Sequence, residues 1–136
     1  MNTEDFVTYE QALALKKLGF NEDSFYHYNQ ENQLRANFSI DTEGSIIEGY
    51  FLRNNTDFSI FITAPTLVQA QKWLRKEKKL SVEPFSSLKK GKYTYQIIYV
   101  ETGFDYKSFK TLSYRFNSYE EALSAGITVC LKLLEE

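Results

Sequence analysis

The sequence predicts an α+β domain in which an antiparallel β-sheet of about five to seven strands packs against three α-helices, in the order α-β-β-β-β-α-(β)-β-β-α. Three observations lead there. One helix-entry pattern, a Thr or Ser followed three residues later by Gln or Glu, recurs at Thr8-Gln11, Thr66-Gln69 and Ser118-Glu121. In such a capping box each side chain satisfies the other residue's open backbone donor. Between the first two entries, short alternating segments are joined by polar turns, the pattern of an antiparallel meander. Ten Tyr and eleven Phe against two Pro favour strands over loops.

The 136 residues are read as a single compact domain spanning 1–136. A domain of this size buries roughly two-thirds of the surface its unfolded chain exposes. It needs no metal or disulfide to fold.

In chain order, Thr8 opens a helix over about Tyr9 to Leu18, with Ala12, Leu13, Leu15 and Leu18 apolar. Gly19 supplies a left-handed stop, and Phe20 folds back on Leu15. Ser24 to Tyr28 is a short aromatic strand and Asn29 to Gln33 a turn. Leu34, Ala36, Phe38 and Ile40 alternate with Arg35, Asn37 and Ser39, which predicts one strand with one buried face. Strands over Ile46 to Leu52 and Phe58 to Thr63 follow, with turns at Asp41 to Gly44 and Arg53 to Asp57.

Thr66 opens the second helix. Pro65 keeps Ala64 extended. Leu67, Ala70 and Leu74 form its apolar face, with Trp73 at the edge; Lys72, Arg75, Lys76 and Lys79 fall opposite at 100° per residue. Leu80 to Phe85 is an edge strand because it holds Pro84. Tyr93 to Glu101 is the longest strand, with Tyr93, Tyr95, Ile97 and Tyr99 on one face. A hairpin connection over Thr102 to Lys110 leads to a strand over Thr111 to Phe116. In the last helix Tyr119, Ala122, Leu123, Gly126, Ile127, Cys130 and Leu134 make one stripe. Gly126 costs about 1 kcal/mol against Ala there, so it implies close approach to a neighbouring element. The three helix starts lie 58 and 52 residues apart with unmatched sequence between them, which indicates convergence rather than a repeat.

The chemistry is sparse. His27 is the one histidine and Cys130 the one cysteine. No internal disulfide or multi-cysteine metal site can form, and Cys130, inside an apolar stripe, is expected to be inert. His27 lies in an aromatic strand and is read as a packed residue. The glycines show no phosphate-loop or dinucleotide spacing. The sequence therefore predicts no catalytic residues, no cofactor-binding residues, no metal site and no enzyme. The N-terminus is acidic, and no apolar run approaches the ~20 residues of a membrane span. A reduced, cytoplasmic protein without membrane contact is the expectation.

Charge is uneven. Residues 72–92 hold eight bases and two acids, a net +6 in a chain of −2. Residues 1–50 hold nine acids and three bases, a net −6. The plain reading is a solvated helix face, with the nearby tyrosines packing their rings in the core; read as functional, the candidate interaction surface is Lys72, Trp73, Arg75, Lys76, Lys79, Lys89, Lys90 and Lys92. The expected partner is an unknown protein, or a second copy of the chain through an odd sheet edge or an exposed aromatic face. The alternative is a nucleic-acid-binding module that uses the basic face of the second helix and the 86–92 loop for phosphate contacts, with Tyr93, Tyr95 and Tyr99 as stacking platforms.

Three stretches carry a resemblance: residues 6–20 (Phe6-Val7-Thr8-Tyr9 through Leu18-Gly19-Phe20); Ala64-Pro65-Thr66-Leu67 with Gln71-Lys72-Trp73-Leu74-Arg75-Lys76-Glu77 and Val82-Glu83; and Ser118-Tyr119-Glu120-Glu121-Ala122-Leu123 with Gly126-Ile127 and Leu131 to Leu134. In this order they resemble small uncharacterised proteins of Bacteroides-type gut bacteria and their phages and prophages. The resemblance implies a genomic context and no activity. The expected role is a non-enzymatic accessory or protein-interaction domain of phage or mobile-element origin.

Overall fold

The computed structural model describes residues 3–40, 42–43, 46–49, 53–54, 61–86, 91–103 and 115–135. Among the described residues the architecture is α+β, with three α-helices and antiparallel strand pairing. The chain divides into two compact units, Phe6–Pro65 and Met1–Asp5 with Thr66–Glu136.

The first unit begins with α1 (Tyr9–Lys17). The Thr8 capping box forms in both directions: Gln11 N–H donates to Thr8 Oγ1 at 3.2 Å, and Thr8 N–H donates to Gln11 Oε1 at 2.8 Å. The helix ends as its Gly19-Phe20 sequence predicts. Gly19 takes φ +98°. Its N–H donates to Lys16 O and that of Phe20 to Leu15 O, at 3.1 and 2.9 Å. This is the paired Schellman closure, and Phe20, like Leu15, Ala12 and Val7, is buried in the core.

The strands of this unit are β1 (Tyr26–Tyr28), β2 (Leu34–Ala36), β3 (Phe38–Ile40), β4 (Ile46–Gly49) and β5 (Ile62–Thr63). The single strand expected over Leu34 to Ile40 is two. Leu34–Ala36 pairs with β1, whereas Phe38–Ile40 pairs with β4. Asn37 is the break, and the expected alternation inverts around it: Asn37 is 3% exposed, while Ala36 faces solvent. The cause is hydrogen bonding. Asn37 N–H donates to Phe25 O at 2.6 Å and Asn37 Nδ2 to Ser24 O at 2.9 Å. The meander order also changes, because β5 pairs with the other edge of β1. Asn54 fixes that return. Its side chain donates to Phe20 O and accepts from Thr63 N–H.

The second unit holds α2 (Leu67–Glu77), β6 (Leu80–Ser86), β7 (Tyr93–Tyr99) and α3 (Tyr119–Glu135). β6 and β7 form a seven-pair antiparallel hairpin, Leu80↔Tyr99 to Ser86↔Tyr93. α3 lies on the hairpin, and α2 lies against β6 and α3. The close approach expected at Gly126 is present. A Cβ there would stand 2.4 Å from Val82 Cγ1 and 3.0 Å from Tyr95 Cδ2.

Among the described residues the strands form separate ladders of three, two and two, rather than one sheet of five to seven. Most of the strand expected over Thr111 to Phe116 and most of the preceding connection lie outside the described residues, as do the first part of Phe58 to Thr63 and parts of the two expected turns after β3 and β4. Phe116 itself bridges Tyr93 in both directions, at 2.8 and 3.1 Å.

Candidate functional site

The second helix starts where Thr66 Oγ1 accepts the Gln69 N–H at 3.1 Å. Its inward arc is wider than the sequence indicates. Leu67, Ala70 and Leu74 are buried as expected, but so are Gln71 and Trp73. Trp73, expected at the rim of an interaction surface, is 6% exposed. The reason is geometric: a helix packed on both β6 and α3 buries more than one stripe. Lys78 Nζ lies 5.6 Å from the Trp73 ring centroid, within cation–π range.

Gln71 reaches the outer edge of β6, where its Nε2 donates to Val82 O at 2.7 Å. That carbonyl would otherwise offer a partner strand an acceptor. Two residues on, Pro84 has no N–H to offer. The β6 edge is thus blunted by a helix side chain and a proline, two recognised devices against edge-to-edge pairing.

The outward arc carries Val68, Lys72, Arg75 and Lys76, all exposed and spaced i, i+4, i+7, i+8. Val68 is 63% exposed. Among the described residues, no carboxylate forms an ion pair with any of the three cations. Lys79 is exposed too but is not on the helix face. The helix stops at Glu77, and Lys79 takes φ +60° as the residue after the cap, where glycine is usual. Lys92 donates to Asn117 Oδ1. Lys89 and Lys90 lie outside the described residues. Of the eight candidate residues, the structure groups Lys72, Arg75 and Lys76 on one face, with Lys79 just past its end.

The tyrosines expected as stacking platforms are differently disposed. Tyr95 faces α3 at Gly126 and lies 6.1 Å from the Phe116 ring. Burial raises the pKa of its hydroxyl, partly opposed by Arg115. Tyr93 is half-buried, and Tyr99 is exposed at the far end of the strand.

A shallow groove of about 250 Å³ opens beside the N-terminus of α2, lined by Asp5, Thr66, Leu67, Val68, Tyr119, Glu120 and Leu123. Its walls are apolar, and Asp5 and Glu120 give it an acidic rim.

In the first unit, His27 is buried and its Nδ1 is hydrogen-bonded to Asn37 Oδ1. Asn37 Nδ2 already donates to Ser24 O, so Oδ1 accepts and His27 Nδ1 carries the proton. The imidazole lies 4.6 Å from the Phe61 ring. Ser24 Oγ and Thr63 Oγ1 are buried without a partner among the described residues. The histidine is thus oriented by an amide within a packed polar cluster. Cys130 is fully buried in α3, and burial pushes its thiol up to about 12. No group of three or more metal-ligating side chains occurs among the described residues. Nor is any described helix long and apolar enough to cross a membrane.

Sequence reasoning missed Gln71 and Asn37. Gln71 stands at i+4 from Leu67 and i−3 from Leu74, a spacing that does mark it as inward-facing. Asn37 carries no comparable local signal. Comparison with family models, curated proteins and solved structures finds no match to this chain.

Proposed function

We propose that this chain is a non-enzymatic interaction module that engages an anionic protein segment through the outward face of α2. The observation that carries the reading is the exposed Lys72-Arg75-Lys76 stripe, which has no ion-pair partner among the described residues and has Val68 at its head. Exposed ion pairs contribute about 0.2–1 kcal/mol each. Three of them therefore steer and orient a partner more than they hold it. Covering an exposed valine adds up to about 1.5–3 kcal/mol, so the expected complex is modest in affinity and needs an apolar contact as well as charge.

The nucleic-acid alternative rests on the same cations. It is weakened where Trp73 is in the core and Tyr95 faces α3, because sequence-tolerant binding of single strands draws on aromatic stacking. The resemblance to small phage and gut-bacterial proteins supports an accessory role in a mobile element. The single cysteine fits a reducing, cytoplasmic setting.

Fluorescence anisotropy tests the reading with three labelled probes at low salt: a Glu-rich peptide containing leucine, an all-acidic peptide, and a DNA strand of equal charge. The leucine-containing peptide is expected to bind best, and Arg75→Gln with Lys76→Gln to weaken it. Preferential binding of DNA with a steep salt dependence transfers the assignment to nucleic acid. No binding of any probe refutes both.

A further inference from the structure

The outward face of α2 is bipolar. At its N-terminal end lies the apolar groove, walled by Leu67, Val68, Tyr119 and Leu123 and rimmed by Asp5 and Glu120. Val68 is 63% and Tyr119 38% exposed. Toward its C-terminal end the same face carries Arg75 and Lys76. Seven to eight residues separate Val68 from these cations, about 10–12 Å along the axis. The acidic rim of the groove therefore asks for cations, and the stripe asks for carboxylates. This face itself, turned end for end, offers both in the required order, with the aliphatic stems of Arg75 and Lys76 to cover the apolar walls.

We infer that the partner of this face is a second copy of the chain, docked with the two α2 helices antiparallel about a two-fold axis. The inference rests on the proposed interaction role of the face and specifies its occupant. In that arrangement Arg75 and Lys76 of each copy lie over the acid-rimmed groove of the other. Asp5 and Glu120 meet them twice, once per half of the isologous interface. Antiparallel helices also set each N-terminus near the other's C-terminus, which is the favourable alignment of their dipoles. Lys72, midway along Leu67–Glu77, falls at the axis and faces its own copy. That repulsion, together with a contact built largely on one helix, makes a weak, reversible dimer below the ~1,200 Å² of a standard interface. The blunted β6 edge directs association to the helix face and away from sheet extension.

Lys72 separates this arrangement from docking of an acidic segment. Lys72→Gln removes a like-charge contact at the axis and is expected to tighten self-association roughly 2- to 5-fold. The same change weakens binding of the Glu-rich peptide.

Sedimentation velocity on the full chain over a wide concentration range, with circular dichroism as the check on folding, provides the test. The wild type is expected to show a concentration-dependent dimer at low salt. Arg75→Glu with Lys76→Glu is expected to be monomeric, as is Asp5→Lys with Glu120→Lys. An equimolar mixture of the two variants is expected to dimerise, because each half of the mixed interface again pairs opposite charges. If either reversal unfolds the protein, the neutral pairs Arg75→Gln/Lys76→Gln and Asp5→Asn/Glu120→Gln take its place, and each is expected to weaken the dimer. A wild type that stays monomeric at about 1 mM protein, where an association of only about −4 kcal/mol is already populated, overturns the inference. So do charge-reversed variants that each still dimerise, or a mixture that does not. A monomeric wild type that still binds the Glu-rich peptide removes the second copy as occupant and leaves the interaction face standing.

Discussion

Gly126 is the position where the packing of the second unit is most sharply exposed to test. An alanine there would put its Cβ 2.4 Å from Val82 Cγ1 and 3.0 and 3.1 Å from Cδ2 and Cγ of Tyr95. Comfortable carbon–carbon contact is about 3.5–4.0 Å, so the overlap with Val82 exceeds 1 Å by that standard. Val82 cannot swing aside cheaply. It is fully buried and lies in the β6 ladder opposite Ile97, and β-branching restricts its χ1. Two effects oppose each other. Alanine gains about 1 kcal/mol of helix propensity over glycine, whereas overpacking a well-filled interior costs about 1–3 kcal/mol. With three close contacts the cost belongs at the upper end, so Gly126→Ala is expected to destabilise by about 1–2 kcal/mol net.

Urea unfolding followed by fluorescence reports this directly, because the single tryptophan, Trp73, is buried in the same unit. A second variant isolates the cause. Val82→Ala alone removes buried methyl groups and destabilises the protein. Combined with Gly126→Ala it also removes the clash, so the double variant should be more stable than the sum of the single effects, by a coupling of about 0.5 kcal/mol or more. A Gly126→Ala protein more stable than wild type by about 1 kcal/mol, the bare propensity gain, would refute the close approach of α3 to the hairpin.

Other positions give further checks. Asn37→Ala leaves the His27 Nδ1–H and Ser24 O without their partner and is expected to cost about 1–3 kcal/mol by urea unfolding, while Ala36→Ser next to it is expected to be nearly silent. Trp73→Ala is expected to cost about 3–5 kcal/mol as a core residue; a stability change below 1 kcal/mol by this scale would return it to the surface. The Cys130 thiol, pushed up to about 12 by burial from an ordinary 9.0, stays protonated in the fold at pH values where the unfolded chain ionises. Stability from this group is therefore complete below pH 9 and is lost as pH rises from there toward 12. Tyr28 and Tyr95, both raised from 10.0 by burial, act in the same direction. Alkaline unfolding that is less steep in wild type than in Cys130→Ala would contradict this, as would rapid reaction of the native thiol with an aromatic disulfide.

Local chemistry in the sequence carries the helix ends and the helix-to-sheet seam. Thr8-Gln11 and Gly19-Phe20 specify a cap and a stop within a few residues of themselves, and both form. Gly126 is conspicuous because it interrupts an apolar stripe that nothing else interrupts. What escapes is non-local. Asn37 is bound to residues 10 and 13 positions away, so its period-two setting gives no warning that it leaves the strand pattern. The pairing of β5 with β1 depends on Asn54 joining Phe20 to Thr63 across the chain. The sequence sets Trp73 at the margin of its helix, on the interaction side, and the second neighbour of α2 buries it instead. Lys79 shows the converse: a terminal position in αL ends the helix where no glycine announces it. For the candidate face, the stripe of Lys72, Arg75 and Lys76 was legible from helical spacing. The acid-rimmed groove beside it was not, because Asp5, Val68 and Glu120 come from three separate parts of the chain.

If α2 divides into a structural side and an interaction side, stability and binding must part company in one variant, Lys72→Gln with Arg75→Gln and Lys76→Gln. That variant is expected to keep a urea stability within about 0.5 kcal/mol of wild type and to lose binding to the Glu-rich, leucine-containing peptide. Equal peptide binding by the variant, or a wild type that does not bind the peptide at low salt, would contradict it.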